Sequence, residues 1–221
     1  MKLTQLLSHV DHTLLSTTST TQDYAKLCEE GLIHNVASVC IPPSRVKFCA
    51  QYLQGRVKVC TVVGFPNGYS NSYIKAIEAT DAINNGASEI DMVIDIGRAK
   101  EHDYSAVLAD IQQVRRATIG HTLKVIIETA VLTTQEKIDL CQVVSESGAD
   151  YIKTSTGFAA NGATFDDVVL LRKHVATEVK VKAAGGISTL DDALQFIQLG
   201  ADRLGTSRIV KIIQGMDGTG Y

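Results

Sequence analysis

The chain contains 221 residues, of which 45% are hydrophobic, and it carries a formal net charge of −3. The negative balance gives no basic face for nucleic acid, and no apolar stretch approaches the ~18 residues that a membrane span requires. The length and the hydrophobic content suit one large core, so we expect a single domain over residues 1–221.

The cysteines and the first residues indicate the compartment in which the protein works. The chain has five cysteines, an odd number, and none forms a C-x-x-C pair. Reduced intracellular proteins show this pattern more often than disulfide-linked proteins do. The opening segment MKLTQLLSHVDH also lacks the apolar run of a signal peptide. We therefore expect a cytoplasmic protein.

Short runs rich in β-branched residues alternate with helical patterns along the whole chain. The predicted strands, in chain order, are residues 9–12, 36–41, 57–63, 89–94, 123–128, 150–154, 179–183 and 202–205. Eight strands that are each followed by a helix are typical of a parallel (β/α)8 barrel, which is the predicted fold. The alternative is an open doubly wound sheet, which often has a G-x-G-x-x-G turn after its first strand, and no such turn occurs here.

Capping signals and glycines mark the predicted ends of the helices. Three helices are predicted to begin at a hydroxyl residue three positions before an acidic one: Thr133 before Glu136, Thr164 before Asp167 and Ser188 before Asp191. Three segments also align without gaps, namely INNGASEIDMV, VSESGADYIKT and IQLGADRLGTS. Their glycines, Gly86, Gly148 and Gly200, are predicted to end helices in the left-handed conformation.

The same repeat predicts which strand residues lie at one height in the barrel. Five positions after the repeated glycines stand Asp91, Lys153 and Gly205, on the fourth, sixth and eighth strands. Alternate strands of such a barrel contribute to one interior layer, so Asp91 and Lys153 should point inward together, with space at Gly205. Lys182 stands near the carboxyl end of the seventh strand, where barrel enzymes keep their active sites. Lys180, near the start of that strand, is expected to reach solvent or to face the helices with its charged end exposed.

Two inward lysines and one aspartate suit Schiff-base chemistry. An amine attacks a carbonyl only when it is neutral, and burial and a neighbouring cation both disfavour the ammonium form. Lys182 would supply that cation, and Lys153 would form a Schiff base with an aldehyde or ketone, which permits cleavage or formation of a C–C bond. Asp91 would transfer protons. The alternative is that the three residues form a purely structural ion-pair cluster.

Glycine and hydroxyl residues after the last three strands indicate a phosphate site. Loops after the seventh and eighth strands are the common phosphate site of this fold, and glycine lets backbone N–H groups approach an anion closely. The candidate substrate-binding residues are Thr154, Gly157, Gly185, Gly186, Gly205 and Ser207. The alternative is that these glycines are ordinary turn residues.

Six motifs together resemble the deoxyribose-phosphate aldolase family, namely YIKTSTGF, VKAAGGI, EIDMVI, SVCIPP, TVVGFP and the terminal GTGY. The resemblance extends from about Asp11 to Tyr221. It implies a (β/α)8 class I aldolase that needs no metal or other cofactor. Such an enzyme reversibly splits 2-deoxy-D-ribose 5-phosphate into D-glyceraldehyde 3-phosphate and acetaldehyde, in deoxyribonucleoside catabolism. The resemblance also implies a homodimer.

The resemblance implies roles for individual residues. Lys153 is the expected Schiff-base lysine, and Asp91 and Lys182 are the expected proton-transfer residues. Asp11, in DHTLL, is expected to line the substrate pocket. Tyr221 is expected to be the C-terminal tyrosine that assists protonation.

Cys40 and three departures from the family pattern concern the surroundings of the site. Cys40, in SVCIPP, is expected to face the pocket without being essential. Arg208 follows GTS, where many relatives carry a small residue. We expect it to face outward on the last helix rather than to add a charge near the phosphate. Asp95 stands where asparagine is usual, and Asn67 stands where leucine is usual. Both departures are expected to affect contacts in loops and not the proposed reaction.

Three other functions are alternatives to the aldolase. A metal-dependent hydrolase would need ligands beyond His9 and Asp11, which share one face of the first strand, so no metal site is expected. A sugar-phosphate isomerase or epimerase would share the phosphate loops but has no need of two adjacent lysines. A non-catalytic phosphosugar-binding barrel should have lost one of Asp91, Lys153 and Lys182, and the sequence keeps all of them.

Overall fold

A computed structural model describes residues 1–215 of the chain. Eight parallel strands close into a barrel in chain order, which confirms the predicted (β/α)8 fold. The strands are β1 (Val10–Thr13), β2 (Ser38–Ile41), β3 (Lys58–Val63), β4 (Glu89–Val93), β5 (Thr122–Ile126), β6 (Tyr151–Lys153), β7 (Lys180–Ala184) and β8 (Arg203–Thr206). Each strand begins within two residues of its predicted start.

Helices follow the strands and surround the barrel. Those described are α1 (Leu3–Leu7), α2 (Thr21–His34), α3 (Val46–Leu53), α4 (Ser72–Asn84), α5 (Ile96–Lys100), α6 (Tyr104–Ala117), α7 (Thr134–Glu146), α8 (Phe165–His174), α9 (Leu190–Gln198) and α10 (Ile209–Ile213). Short 3₁₀ turns occur at Pro43–Arg45 and Thr129–Val131. In residues 1–215, no helix combines the length and the apolar character that crossing a membrane requires.

The helix ends follow the predicted capping chemistry with one exception. The hydroxyl groups of Thr133 and Thr164 accept hydrogen bonds from backbone N–H groups in the first turns of α7 and α8. The cap of α9 is Thr189 rather than Ser188, because the same hydroxyl-to-acid spacing recurs one residue later, at Asp192. The glycines predicted to end helices have positive φ angles: Gly86 108°, Gly148 79° and Gly200 106°. These angles confirm the left-handed ends that the repeat predicts.

Alternate residues of a strand face two different interiors. On β4, Ile90 and Met92 belong to the apolar layer between the strands and the helices. Glu89 and Asp91, which alternate with them along the strand, are also fully buried, on its opposite face. A separate small apolar cluster is formed by Leu15, Cys40, Cys60 and Val62, with Phe65 packed against it. The inner face of the barrel therefore combines a small apolar part with charged residues, where branched apolar side chains usually dominate.

Candidate active site

Seven ionisable side chains meet inside the barrel, and we call them the charged cluster. Its members are Asp11, Glu89, Asp91, Lys124, Lys153, Lys182 and Arg203. They come from β1, β4, β5, β6, β7 and β8, and none is more than 9% exposed. Buried charges are costly unless they are paired, so the contacts within the cluster decide its chemistry.

Asp91 is the centre of the charged cluster. Its Oδ2 atom accepts hydrogen bonds from Nζ of Lys153 over 2.8 Å and from Nζ of Lys182 over 2.7 Å. Its Oδ1 atom accepts from Nζ of Lys124 over 2.8 Å and from the Cys60 thiol over 3.2 Å. Burial acts to raise the pKa of Asp91, but the three ammonium groups outweigh burial and hold this pKa well below its usual range. Asp91 is therefore an ionised carboxylate that touches both predicted catalytic lysines.

Lys182 is held between two carboxylates. Its Nζ atom bonds to Asp11 as well as to Asp91. Burial acts to lower the pKa of Lys182, but the two carboxylates outweigh it, and the pKa lies above its ordinary value. Lys182 thus carries a proton at neutral pH. A methyl group at Gly205 would lie 3.1 Å from Cε of Lys182 and 3.0 Å from Cβ of Ala184, so the space predicted at Gly205 accommodates the lysine.

Lys124, Glu89 and Arg203 form a further layer of the cluster that the motifs did not reveal. Nζ of Lys124 lies 2.6 Å from Oε2 of Glu89, and Arg203 donates to the same oxygen over 2.9 Å. Burial acts to raise the pKa of Glu89, but Lys124 and Arg203 help to hold it below its usual value. The inward position of Arg203 could have been predicted from strand alternation, since Arg203 stands two residues before the inward Gly205.

A cavity of about 220 Å³ opens at the carboxyl ends of the strands, beside the charged cluster. Six of the predicted site residues line it, namely Lys153, Gly157, Gly185, Gly186, Gly205 and Ser207. The structure therefore brings the Schiff-base candidate and most of the phosphate candidates to one space. This is the end of the barrel at which enzymes of this fold keep their active sites.

Asp11 and Thr154 lie next to the cavity but are not among the residues that line it. Asp11 is fully buried and bonds to Lys182, so its carboxylate contacts the lysine instead of the space for substrate. The Thr154 hydroxyl donates to the carbonyl of Ala184 over 3.3 Å and accepts from its N–H over 3.1 Å. Both residues therefore bond to other parts of the barrel, and their contact with substrate stays a prediction.

Cys40 is covered by apolar neighbours, so the expected exposure to the pocket is not found. It is 1% exposed and packs with Leu15, Cys60 and Val62. Interaction with the neighbouring Cys60 is the main cause of the lowered pKa of Cys40. Strand alternation does turn Cys40 into the barrel, but it lies in this apolar cluster and is not among the residues that line the cavity.

The outward orientation expected of Arg208 is wrong. Arg208 lines the cavity, and its Nη1 atom donates a hydrogen bond to the Ser188 hydroxyl over 2.8 Å. The other two departures do stay in loops: Asp95 caps the start of α5, and Asn67 bonds to a neighbouring tyrosine. Tyr221 lies outside the described residues.

Glu128 is a second candidate that the motifs did not reveal. It follows β5, is 4% exposed and has a φ of 57°, which is uncommon for a residue with a side chain. Its carboxylate accepts the Thr156 hydroxyl over 2.5 Å and the Thr156 N–H over 3.2 Å. The Thr156 hydroxyl in turn accepts the N–H of Phe158 over 3.0 Å. Glu128 therefore fixes the loop that follows Lys153.

The donor groups in the barrel do not suit a metal ion. In the part of the chain that the structure describes, the sets close enough to share an ion are Cys40, Cys60 and Asp91, and Asp11, Cys60 and Glu89. Their carboxylates already accept hydrogen bonds from buried ammonium or guanidinium groups, which a metal cation would have to displace. His9, which directly precedes β1 and would be a ligand together with Asp11, bonds instead through Nδ1 to the carbonyl of Asp202 over 2.9 Å.

Comparison with known proteins finds close relatives over nearly the whole chain. The family model described as DeoC/LacD family aldolase matches residues 5–216. A deoxyribose-phosphate aldolase of Streptococcus agalactiae is 52% identical over 97% of this chain and 96% of its own length. A deoxyribose-phosphate aldolase of Clostridioides difficile is 50% identical over 98% of this chain and 99% of its own length. The solved structure of a tetrameric deoxyribose phosphate aldolase from Aeropyrum pernix superposes with a TM-score of 0.89 at 30% identity, covering 97% of this chain and 92% of that one.

Proposed function

The chain belongs to the DeoC/LacD family of aldolases, and we propose that it reversibly cleaves 2-deoxy-D-ribose 5-phosphate to D-glyceraldehyde 3-phosphate and acetaldehyde. The observation that carries this proposal is the hydrogen bond between Lys153, which lines the cavity, and Asp91, which also holds the charged Lys182. The relatives named above are deoxyribose-phosphate aldolases, which supports the substrate. The reaction would serve the catabolism of deoxyribonucleosides.

The composition of the charged cluster explains how one lysine can become neutral. Four basic groups, Lys124, Lys153, Lys182 and Arg203, face the three carboxylates of Asp11, Glu89 and Asp91. With every group ionised, one buried positive charge has no counterpart, which is unfavourable. Loss of one proton balances the cluster.

Lys153 is the base best placed to lose that proton. Burial disfavours the charge of the other three bases, but the carboxylates outweigh burial and raise the pKa of each. Of the four, Lys153 is the one that lines the cavity, where water or substrate can accept its proton. A neutral amine at that position is the nucleophile that a Schiff-base aldolase requires.

The reaction then follows from a neutral amine beside a carboxylate. Nζ of Lys153 attacks the C1 aldehyde of the sugar, and loss of water leaves an iminium ion. The iminium accepts the electron pair of the C2–C3 bond as it breaks, while the C3 hydroxyl loses its proton and D-glyceraldehyde 3-phosphate departs. The enamine takes up a proton at C2, and hydrolysis releases acetaldehyde and restores the amine. Asp91 helps to pass the protons between substrate and water, while Lys182 holds it in position through their hydrogen bond.

The phosphate of the substrate is proposed to bind at the loops after β7 and β8. Gly185 and Gly186 have φ angles of 73° and 75°, which favour glycine. A side chain at Gly185 would meet Gly162 at 3.0 Å, and one at Gly186 would meet the carbonyl of Ala163 at 3.3 Å. Backbone N–H groups here and the Ser207 hydroxyl supply donors for an anion.

We further propose a homodimer that works in the cytoplasm. The five cysteines are free and buried, which suits a reducing compartment. The relative from Aeropyrum pernix is a tetramer, so light scattering on the purified protein is the test of assembly. A mass of two chains is the expected result.

No cofactor takes part in the proposed reaction. Turnover should therefore be undiminished after dialysis against a chelator. A loss of turnover that zinc or magnesium restores would contradict the proposal.

Covalent trapping tests the proposed function. Treatment with acetaldehyde and borohydride should add one two-carbon unit, and peptide mapping should find it on Lys153. Lys153→Arg should abolish the adduct because a guanidinium stays protonated. Lys180→Arg is the matched control, since this exposed lysine stands on β7 and its variant should still be labelled. An adduct on Lys182 would overturn the assignment of the nucleophile, and no adduct would overturn the mechanism.

A further inference from the structure

Two charged side chains line the cavity in the part of the chain that the structure describes, and the proposed mechanism uses only one of them. Lys153 is 3% exposed and makes the contacts described above. Arg208 is half-buried and stands after β8, at the loop to which the phosphate is assigned. Its charge therefore needs a separate explanation.

The contacts of Arg208 hold its guanidinium in place without neutralising it. Nη1 donates to the Ser188 hydroxyl over 2.8 Å, and the backbone N–H donates to the Thr206 hydroxyl over 3.1 Å. Both partners are uncharged, and Arg208 forms no ion pair within residues 1–215. A guanidinium has five N–H donors, so most of them are still available to a ligand.

The start of α9, on the other side of the loop, offers less to an anion. The Asp192 carboxylate accepts the N–H groups of Ser188 over 3.2 Å and of Thr189 over 3.0 Å. A helix N-terminus attracts a negative group, and here the Asp192 carboxylate already occupies that position. A second anion at the same position would be repelled by Asp192, and Arg208 is the nearby group that offsets this repulsion.

We propose that Arg208 determines the specificity of this chain for aldehydes that carry a phosphate group, by binding the phosphate directly. The inference rests on the proposed aldolase function and deepens it. A phosphate monoester carries a charge of about −1.5 to −2 at pH 7 and presents three acceptor oxygens. The planar guanidinium pairs with two such oxygens at once. Ser188 limits the orientations of Arg208, so less side-chain entropy is lost when the phosphate binds.

The alternative role for Arg208 is that of a brace between the loops after β7 and β8, through its bond to Ser188. A brace and a phosphate ligand differ in their effect on an uncharged substrate. Loosening a brace disturbs every substrate that uses the cavity. Removing a phosphate ligand affects only substrates that carry a phosphate.

The test compares cleavage of 2-deoxyribose 5-phosphate and of 2-deoxyribose by the wild type, Arg208→Gln and Arg208→Lys. Arg208→Gln should lower kcat/KM for the phosphorylated sugar by about 10- to 100-fold, the usual range for a lost charge-assisted hydrogen bond. It should leave kcat/KM for 2-deoxyribose unchanged. Arg208→Lys keeps the charge but loses the planar guanidinium. Its kcat/KM for the phosphorylated sugar should therefore lie between the values of the wild type and Arg208→Gln. Lys211→Gln removes an equal charge from α10, outside the cavity. This variant should leave kcat/KM unchanged for both sugars.

Equal losses for both sugars in Arg208→Gln, or no loss for either, would overturn the proposal. Should Arg208→Gln not fold, the ratio of the two kcat/KM values in Arg208→Lys decides. A selective loss for the phosphorylated sugar supports phosphate binding, and an unchanged ratio contradicts it. Failure of the aldolase function itself is distinguishable, since the wild type would then cleave neither sugar and form no borohydride adduct.

Discussion

Lys124 donates a hydrogen bond over 2.8 Å to Oδ1 of Asp91, the oxygen that Lys153 and Lys182 leave to other donors. Burial opposes the charge of Lys124, but Asp91 and the other nearby anionic groups outweigh it and raise the pKa of this lysine well above its ordinary value. Lys124 therefore carries a positive charge at neutral pH, beneath the reactive groups. It also supplies the fourth base of a cluster that has only three carboxylates.

The first prediction concerns that excess of one base. Lys124→Met leaves three bases and three carboxylates, so the cluster is balanced only while Lys153 keeps its proton. We expect kcat/KM at neutral pH to fall by at least about tenfold, because neutralising Lys153 now leaves an uncompensated buried negative charge. Activity should recover in part as the pH is raised. A pH profile of kcat/KM and the rate of borohydride trapping measure both effects.

Lys75→Met is the matched control for the Lys124 variant. Lys75 is also fully buried and bonds to Asp110 over 2.7 Å, away from the charged cluster. Both variants should lose stability, by about 3–5 kcal/mol for a broken buried pair. Only Lys124→Met should change the pH profile. The same profile in both variants would show that Lys124 acts through stability alone.

The second prediction concerns the dependence of stability on pH. Cations in the cluster, Lys182 first among them, outweigh burial and hold the pKa of Asp11 well below its usual value, and that of Asp91 is lowered in the same way. A carboxyl group with a depressed folded-state pKa contributes stability above its unfolded pKa of about 3.9, and the contribution is lost as the pH falls below it. The difference in unfolding free energy between the wild type and Lys182→Met should therefore be largest above about pH 4 and shrink in acid.

Urea unfolding followed by far-ultraviolet circular dichroism measures this difference across the acid range, since the chain has no tryptophan. Lys180→Met is the control. Its side chain is exposed and lies over the Tyr151 ring at 5.6 Å, outside the cluster. The difference between this variant and the wild type should be small and independent of pH. A constant difference for Lys182→Met would mean that this lysine stabilises through packing rather than charge.

The third prediction tests the space at Gly205. An alanine there would place its Cβ atom 3.1 Å from Cε of Lys182 and 3.0 Å from Cβ of Ala184. We expect Gly205→Ala to fold, because one methyl group displaces the end of a flexible lysine, and to lose turnover as Lys182 moves away from Asp91. The thermal transition and kcat report these two effects. In the double variant with Ala184→Gly the contact with Lys182 persists, so turnover should stay low. If the double variant recovered full turnover, the loss in Gly205→Ala would be due to the contact with Ala184 and not to the contact with Lys182.

The sequence predicted the parts of the site that depend on strand order and strand alternation. The Gly-Ala repeat brought Asp91 and Lys153 to one layer, and the structure joins them by a hydrogen bond over 2.8 Å. The orientation of Arg208 was not predictable in this way. It precedes a helix of only five residues, which has too few turns to show an apolar face. Its position depends on Ser188, which is 20 residues away in another loop.

Lys124 and Glu128 were missed for a different reason. The run LKVIIE reads as an ordinary buried strand, and the partners of both residues come from other strands or loops. Asp11 shows a related limit, because a motif predicted that it lines the substrate pocket but did not predict its hydrogen bond with Lys182. A pattern gives the face of a strand on which a side chain lies, but the partner that it meets depends on the register of distant strands.

The last prediction concerns Glu128 as a positioning residue for the loop after Lys153. Glu128→Gln keeps the shape of the side chain but replaces a carboxylate oxygen with an NH₂ donor, which faces the N–H and hydroxyl donors of Thr156. The loop should loosen, and since Thr156 and Gly157 line the cavity, kcat/KM should fall by about tenfold or more, the usual scale for a charge-assisted hydrogen bond. The fall should be equal for 2-deoxyribose 5-phosphate and 2-deoxyribose, unlike the selective loss expected at Arg208.

A double-mutant cycle with Thr156→Val distinguishes this role from a general loss of stability. If Glu128 acts through Thr156, the double variant should be little worse than either single variant. Glu136→Gln is the control, because Glu136 is equally buried at 4% exposure but caps α7 and bonds to Lys100. That variant should lower the melting temperature and leave kcat/KM intact. Additive losses in the cycle, or an equal loss in Glu136→Gln, would show that the carboxylate of Glu128 contributes only to the stability of the barrel.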